Sequence, residues 1–236
     1  MRILAFETSA KAASVALLED DRLLGEYYLN CGQTHSRTLL QMAQELLDNC
    51  ALTPADVTAV ACAAGPGSFT GVRIGVAAAK GFAWGRELPC VGVSTLEAMA
   101  QQAALFDGIL CCAMDARREQ VYNALFSCEA GCLTRLSEDR AISLEELEQE
   151  LKKYEKLKLM VGDGAQLCYN TFSEKVSGCM LAPEQSVMQR ASGVAICARK
   201  LLLTGESFDG AALEPNYLRL SQAERERNER LQRKGE

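Results

Sequence analysis

Short apolar runs alternate with amphipathic stretches along the first hundred residues. The runs at 3–6, 13–18 and 22–29 are separated by short polar stretches, which predicts a three-stranded meander. Behind Thr34 or Ser36 as a helix cap, apolar residues recur every three or four positions, which predicts an amphipathic helix. Its apolar side chains are Leu39, Met42, Ala43, Leu46, Leu47 and Cys50. The pattern then predicts a buried strand at 57–64, a helix at 71–85, a strand at 90–93 and a helix at 95–105.

The same order of elements restarts after residue 108. The pattern predicts strands at 109–114, 120–126, 132–136 and 157–161, with helices at 144–154 and 187–203. The order β-β-β-α-β-α therefore occurs twice, which indicates a duplicated α/β fold; a single larger α/β domain is the alternative. The predicted units are an N-terminal subdomain at 1–106, a C-terminal subdomain at 107–221 and a charged tail at 222–236.

A glycine-rich loop joins the strand at 57–64 to the helix at 71–85. Such a junction exposes N–H groups at a helix N-terminus, where the helix dipole favours an anion. The P-loop pattern is not met, because no lysine follows Gly71. A tight structural turn and a phosphate cradle both remain open. The residues that could contact an anion or nucleotide here are Glu7, Thr8, Ser9, Gly65, Gly67, Ser68, Thr70 and Arg73.

The helix at 71–85 is apolar nearly all round. Its only charged side chains are Arg73 and Lys80, so a second face must be covered by this chain or by another chain. Small residues four positions apart would let another helix approach closely. An internal core helix is the alternative. The predicted partner interface consists of Leu39, Met42, Ala43, Leu46, Gly71, Gly75, Ala78, Ala79 and Phe82.

Composition and charge narrow the functional classes. The 236 residues carry a net charge of −6, so the chain as a whole does not attract a phosphate backbone. Eleven cysteines occur without a Cys-x-x-Cys pair, which favours buried reduced thiols over a zinc site. The apolar run at 3–6 is too short for a signal peptide, and no run approaches a membrane span. We therefore expect a cytoplasmic protein without membrane contact.

Residues that could carry catalysis are few. His35 is the only histidine, which excludes a two-histidine metal site. Glu7 and Asp115 follow corresponding strands of the two halves, where carboxylates could face a shared cleft and hold a hydrated metal. The alternative is that both carboxylates are ordinary polar residues of hairpin turns. We therefore predict no catalytic residue and no metal ligand in this chain.

Several segments together resemble one family. They are Glu7-Thr8-Ser9, His35-Ser36, Thr95-Leu96-Glu97-Ala98, the run Ala-Gly-Pro-Gly-Ser-Phe-Thr-Gly-Val-Arg-Ile-Gly at 64–75, and Pro215-Asn216-Tyr217-Leu218-Arg219. With them the chain, from Met1 to about Arg219, resembles the TsaB (YeaZ) family of bacterial threonylcarbamoyladenosine biosynthesis subunits. The resemblance implies a duplicated fold shared by actin, sugar kinases and heat-shock-type ATPases, with two ribonuclease H-like halves.

The resemblance also implies a function. It is that of a non-catalytic accessory subunit required for threonylcarbamoyl transfer to the adenosine next to the tRNA anticodon. Such a subunit pairs with a catalytic paralogue (TsaD type) through its first two helices, forms a homodimer when alone, and helps to recruit a P-loop ATPase (TsaE type). It meets tRNA only through the complex, and it has no cofactor of its own, although ATP could bind at the level of the complex.

Two departures from related enzymes agree with a non-catalytic role. His35 has no histidine partner, and the turn at 115–119 lacks the glycines with which ATPases of this fold wrap phosphate. The alternative is a small ATPase or glycoprotease-like hydrolase that uses Glu7 and the turn at 65–71. A weaker possibility is direct tRNA binding by the basic residues of 225–234.

Overall fold

The computed structural model describes residues 1–207 and 210–219, and the first half of this range forms one mixed β-sheet with three helices. Strand β1 pairs antiparallel with β2 and parallel with β4, and the sheet order is β3-β2-β1-β4-β5. The elements are β1 (Arg2–Glu7), β2 (Ala13–Glu19), β3 (Arg22–Leu29), α1 (His35–Asn49), β4 (Ala59–Gly65), α2 (Phe69–Trp84), β5 (Cys90–Ser94) and α3 (Thr95–Gln102). A single 3-10 turn at Pro54–Asp56 precedes β4.

The second half repeats this topology. Its sheet order is β11-β10-β6-β7-β8, so β6, β7, β8, β10 and β11 stand where β1 to β5 stand in the first sheet. The elements are β6 (Gly108–Asp115), β7 (Gln120–Glu129), β8 (Cys132–Arg135), β9 (Arg140–Ser143), α4 (Leu144–Leu151), β10 (Lys158–Val161), α5 (Ala165–Phe172), β11 (Cys179–Leu181), α6 (Glu184–Val187) and α7 (Ala191–Leu203). The repeated order confirms the duplicated α/β, actin-like fold.

Some predicted elements were wrong in extent or were missed. The helix predicted at 187–203 begins only at Ala191, because Arg190 takes an extended conformation, and the short helix α6 before it was missed. The helix predicted at 95–105 ends at Gln102. Strands β9 and β11 and helix α5 have only three to eight residues, too few for a clear period in the sequence. Helix α2 begins two residues earlier than predicted, because Ser68 caps it and accepts a hydrogen bond from Gly71 N–H.

Helix α7 belongs to the core of the first half, although it follows the second half in sequence. Its apolar side chains pack on the face of the first sheet opposite α1 and α2, among them Val194, Ala195 and Ala198. Gly193 lets the helix pass close to α3, since a Cβ there would stand 2.3 Å from Ala98 O. The first half is therefore closed by a helix from beyond the predicted division at 106–107. The predicted charged tail at 222–236 lies outside the described residues.

The cysteines behave as apolar core residues. None of the eleven forms a disulfide, and seven of them are buried. Burial raises the pKa of the Cys62 and Cys112 thiols far above the usual range, so both stay protonated. Among the described residues, no helix has both the length and the apolar character needed to cross a membrane.

Candidate functional site

A cleft of about 500 Å³ separates the two halves on one side of the molecule. The first half contributes the β1–β2 turn around Ser9 and Lys11, and the loop from Gly67 to Thr70 before α2. The second half contributes the β6–β7 turn from Met114 to Arg117, together with Asp163 after β10. The β1–β2 turn and the β6–β7 turn are equivalent in the two halves, so the cleft lies between corresponding ends of the two sheets.

The β1–β2 turn and the glycine-rich loop are bonded to each other. Ser68 N–H donates to Ser9 O at 2.7 Å, and the Thr8 hydroxyl donates to Gly71 O at 2.7 Å. A Cβ on Gly71 would stand 2.0 Å from Thr8 O, and one on Gly67 would stand 2.6 Å from Ser9 O. Backbone contact thus accounts for these glycines without a ligand.

Glu7 lies beneath the cleft rather than in it. It is 1% exposed, and its Oε1 accepts the Ser9 N–H at 2.6 Å, while Oε2 has no hydrogen-bond partner in the described part of the chain. Burial raises the pKa of Glu7 to about 7, against the lowering effect of the Ser9 hydrogen bonds, and the charge of Asp163 raises it further. Glu7 is therefore partly protonated near neutral pH and has no access to a substrate.

The cleft lining carries two carboxylates of the second half, Asp115 and Asp163. Burial raises the pKa of Asp163, opposed by a hydrogen bond from Gln189, and the nearby charge of Asp115 raises it further. Lys11 and Arg117 supply positive charge among the lining residues. Within residues 1–207 and 210–219, no group of three or more histidine, cysteine or acidic side chains could hold a metal ion. The two carboxylates and the two basic side chains therefore balance in the lining of the cleft.

The predicted anion contacts are only partly brought together. Ser9, Gly67, Ser68 and Thr70 line the cleft, whereas Glu7, Thr8 and Gly65 are buried outside its lining. The Arg73 side chain is held elsewhere, with its Nε donating to the Tyr217 hydroxyl at 2.7 Å. His35 is also structural, since its Nε2 lies 2.9 Å from Ala10 O and joins the start of α1 to the β1–β2 turn.

Most of the predicted partner-interface residues face the chain's own core, which corrects their expected position. Seven of the nine are buried against the first sheet and its helices: Leu39, Met42, Ala43, Leu46, Gly71, Gly75 and Ala79. The small residues bring α2 close to the β1–β2 turn, since a Cβ on Gly75 would stand 2.6 Å from the Thr8 hydroxyl oxygen. Ala78 and Phe82 are only half-buried.

A different set of residues forms the exposed side of these helices. On α2 they are Arg73, Ala77, Gly81 and Trp84, which we call the outer face. Trp84 is 73% exposed, and Leu40 on the neighbouring α1 is 58% exposed. This face was not predicted from the sequence, because apolar residues occur on both sides of α2 and periodicity does not separate inner from outer positions.

Comparison with known proteins gives the family. A family model described as "TsaD: tRNA N6-adenosine threonylcarbamoyltransferase" matches residues 30–227. The tRNA threonylcarbamoyladenosine biosynthesis protein TsaB of Bacillus subtilis (strain 168) is 34% identical over 226 residues, covering 95% of this chain and 96% of the relative. TsaB of Escherichia coli (strain K12) is 35% identical over 222 residues, covering 93% and 95%. This chain belongs to the TsaB family.

Solved structures agree with that assignment. A Pseudomonas aeruginosa protein described as having similarity to peptidase YeaZ superposes with a TM-score of 0.79 at 27% identity, covering 92% of this chain and 99% of that one. YeaZ from Pseudomonas aeruginosa gives a TM-score of 0.75 at 26% identity, with the same coverage. The resemblance found in the sequence is thus confirmed, and the chain is a tRNA threonylcarbamoyladenosine biosynthesis protein of the TsaB family.

Two of the segments that carried the TsaB resemblance, 64–75 and 215–219, meet in space. The Tyr217 ring stacks on Phe69 at the start of α2, with ring centroids 3.9 Å apart and an angle of 5° between the planes. The Arg73 guanidinium lies 4.8 Å from the Phe69 centroid and 5.6 Å from that of Tyr217. No local pattern in the sequence indicated this contact, because it joins residues 144 positions apart.

Proposed function

We propose that this TsaB-family chain is a non-catalytic accessory subunit in threonylcarbamoyl transfer to the adenosine next to the tRNA anticodon. It acts by pairing with the catalytic paralogue through the outer face of α2 and Leu40 of α1. The observation that carries the proposal is the apolar part of the outer face, where Trp84 is 73% exposed on the same side of α2 as Ala77 and Gly81. A lone exposed apolar residue is ordinary on a protein surface, whereas a contiguous apolar helix face is typical of an interface.

The chemistry of the outer face fits a pair of helices from the partner. Ala77 and Gly81 are one helical turn apart and would let a partner helix approach closely, while Trp84 would provide a large anchoring side chain. A standard specific interface buries about 800 Å² on each partner. When the paralogue is absent, a second copy of this chain would cover the same face. The resulting heterodimer would help to recruit the P-loop ATPase and would meet tRNA as a complex, with any ATP bound at that level.

The position of Glu7 argues against the alternative hydrolase. A general base or metal ligand must reach the reacting atoms, and Glu7 is buried under Ser9 outside the cleft lining. The turn at 65–71 is occupied by backbone contacts with Thr8 and Ser9. We therefore expect the isolated chain to turn over neither ATP nor peptide.

Charge placed on the outer face tests the proposal. Ala77→Arg and Gly81→Arg should abolish co-purification with the catalytic paralogue and, in a reconstituted mixture with the P-loop ATPase, tRNA modification. The matched control is Ala141→Arg on exposed strand β9 of the second half, which should leave both unchanged. A side chain at Gly81 starts in open space, since nothing lies within 4 Å of its Cβ position. Unchanged assembly in both α2 variants would refute the proposed interface.

A further inference from the structure

The last described segment of the chain is anchored in the first half. Leu213 is 2% exposed and packs in the core between the first sheet and helices α1 and α2. Three residues later, Asn216 N–H donates to Ala64 O at the end of β4, at 2.6 Å. Gly65 makes room for this contact, because it has a positive φ of 121° and a Cβ there would stand 2.4 Å from Asn216 O. We call residues 213–219 the strap.

The middle of the strap holds the beginning of α2. Tyr217 stacks on Phe69, and its hydroxyl accepts a hydrogen bond from Arg73 Nε. Phe69 lines the cleft, whereas Arg73 is the first residue of the outer face. One side chain of the strap therefore contacts both the cleft wall and the end of the proposed partner surface.

The end of the strap is bonded to the second half. Arg219 Nη1 donates to Ala116 O, at 2.8 Å, on the β6–β7 turn that forms the opposite wall of the cleft. Arg117, Arg118 and Glu119 of this turn all have positive φ, a conformation that non-glycine residues adopt at a cost. The bond from Arg219 thus restrains a turn whose own backbone does not favour its shape.

With these contacts in place, the strap can extend very little. Tyr217 and Arg219 are two residues apart, and two residues of extended chain span at most about 7 Å. Tyr217 is held on the first-half wall of the cleft and Arg219 on the second-half wall. Opening the cleft must therefore break the bond between Arg219 and Ala116 or pull Tyr217 away from Phe69 and Arg73.

We propose that the strap couples the separation of the two halves to the start of α2, and through Arg73 to the outer face. The part that concerns the partner rests on the proposed function, whereas the coupling between the cleft walls does not. Because coupling between two sites is reciprocal, a partner that fixes Arg73 favours the closed cleft, and an opened cleft weakens partner binding.

Hydrogen exchange on the full chain tests the coupling. Arg219→Ala removes a charged donor on the second-half side, and we expect about tenfold faster exchange of amides in the β6–β7 turn. The informative amides are Ser68 N–H, bonded to Ser9 O, and Asn216 N–H, bonded to Ala64 O, which lie in the first half. If the strap couples the walls, both exchange several-fold faster in Arg219→Ala. Faster exchange confined to the β6–β7 turn would overturn the proposal.

Three further variants separate coupling from general destabilisation. Arg118→Ala removes a like charge from the β6–β7 turn that Arg219 contacts, and the exposed Arg118 side chain makes no hydrogen bond to the described residues, so we expect no change in the first half. Arg219→Lys keeps a cationic donor and should restore most of the protection even if Arg219→Ala folds poorly. Tyr217→Phe keeps the ring stack but loses the bond to Arg73, so faster exchange should be confined to the first turn of α2.

Affinity for the purified catalytic paralogue distinguishes the two proposals. Arg219 lies away from the outer face, yet we expect Arg219→Ala to weaken binding about fivefold while Arg118→Ala does not. If exchange spreads across the cleft but the paralogue binds neither variant nor parent chain, the proposed function fails and the coupling of the cleft walls stands. If the paralogue binds all variants equally, the link from strap to outer face is wrong.

Discussion

At the level of single residues, close backbone approach explains the glycines at the start of α2. A Cβ on Gly71 would stand 2.0 Å from Thr8 O, a backbone atom that cannot move aside. We expect Gly71→Ala to lower the free energy of unfolding by about 3 kcal/mol, the upper range for overpacking. Gly81→Ala, on the same helix with no atom within 4 Å, should raise it by about 1 kcal/mol through helix propensity. Urea denaturation of both variants measures the difference, and equal midpoints would contradict the close contact.

The buried Glu7 predicts a pH dependence of stability. Its pKa is about 7 in the folded chain and near 4.5 when unfolded, so only the folded chain holds this proton between those values. The stabilisation is complete below pH 4.5 and is lost as pH rises towards 7, by on the order of 3 kcal/mol. Glu7→Gln should flatten this slope of unfolding free energy between pH 5 and 7.

The control for this experiment is a carboxylate at the surface. Glu174→Gln changes an exposed side chain after α5, and it should keep the slope of the parent chain. Any slope that remains in Glu7→Gln is assigned to Asp163, whose pKa burial also raises. A parent-like slope in Glu7→Gln would show that Glu7 is not the group that titrates.

At the level of elements, the sequence predicted what has a clear period and missed what depends on long-range contact. Strands β1 to β3 and helix α1 were found because apolar residues form runs or recur there within elements of six or more residues. The inward side of α2 could not be distinguished from its outer face, since Val76 and Ala79 point to the core while Ala77 and Trp84 do not.

The candidate cleft was likewise predicted only as far as local sequence determines it. The loop at 65–71 was found as a glycine-rich junction, yet its glycines allow contacts with Thr8 and Ser9 near the start of the sequence and with Asn216 near its end. Sequence spacing gives no distance between such segments. Asp115 was predicted to face a cleft, whereas no pattern in the sequence indicated that Asp163 would join it there.

Truncation of Trp84 tests the outer face as an element. Trp84→Ala should change the free energy of unfolding by less than about 0.5 kcal/mol, since the side chain is 73% exposed. It should nevertheless weaken binding to the catalytic paralogue by about thirtyfold or more, as expected for an anchoring residue. Leu105→Ala removes another exposed apolar side chain, 98% exposed in the α3–β6 connection, and should leave binding intact. Titration with the paralogue measures the affinity of both variants, and an equal loss of affinity in the two would point to nonspecific adhesion.

At the scale of the whole molecule, the two halves are joined by more than their linker. Helix α7 completes the first core, the strap bonds to the β6–β7 turn, and an ion cluster links α3 to β8 and the turn that follows. These connections cross the division near residue 107 in three separate places. We therefore expect the chain to unfold in one cooperative transition, although its fold arose as two similar halves.

The ion cluster around Arg135 gives a prediction at this scale. Arg135 donates to Glu97 of α3 and to Asp139, each at 2.7 Å, and Asp139 accepts the Ser94 hydroxyl at 2.6 Å. The guanidinium also lies 4.8 Å from the Phe126 ring centroid, so its loss removes packing as well as charge. We expect Arg135→Ala to lower the free energy of unfolding by about 2 kcal/mol, because a partly buried acceptor is left without its donor.

Two control variants show how much of the effect of Arg135→Ala comes from the partly buried ion cluster. Arg135→Lys keeps the charge but lacks the planar guanidinium that reaches both carboxylates. Its free energy of unfolding should therefore lie between those of the parent chain and the alanine variant. Lys156→Ala breaks the exposed pair with Glu129 inside the second half, where about 0.5 kcal/mol is expected. If Arg135 joins the halves, its alanine variant should also broaden thermal unfolding or divide it into two steps, which differential scanning calorimetry resolves. A lower midpoint with an equally sharp transition would mean that α7 and the strap alone keep the halves cooperative.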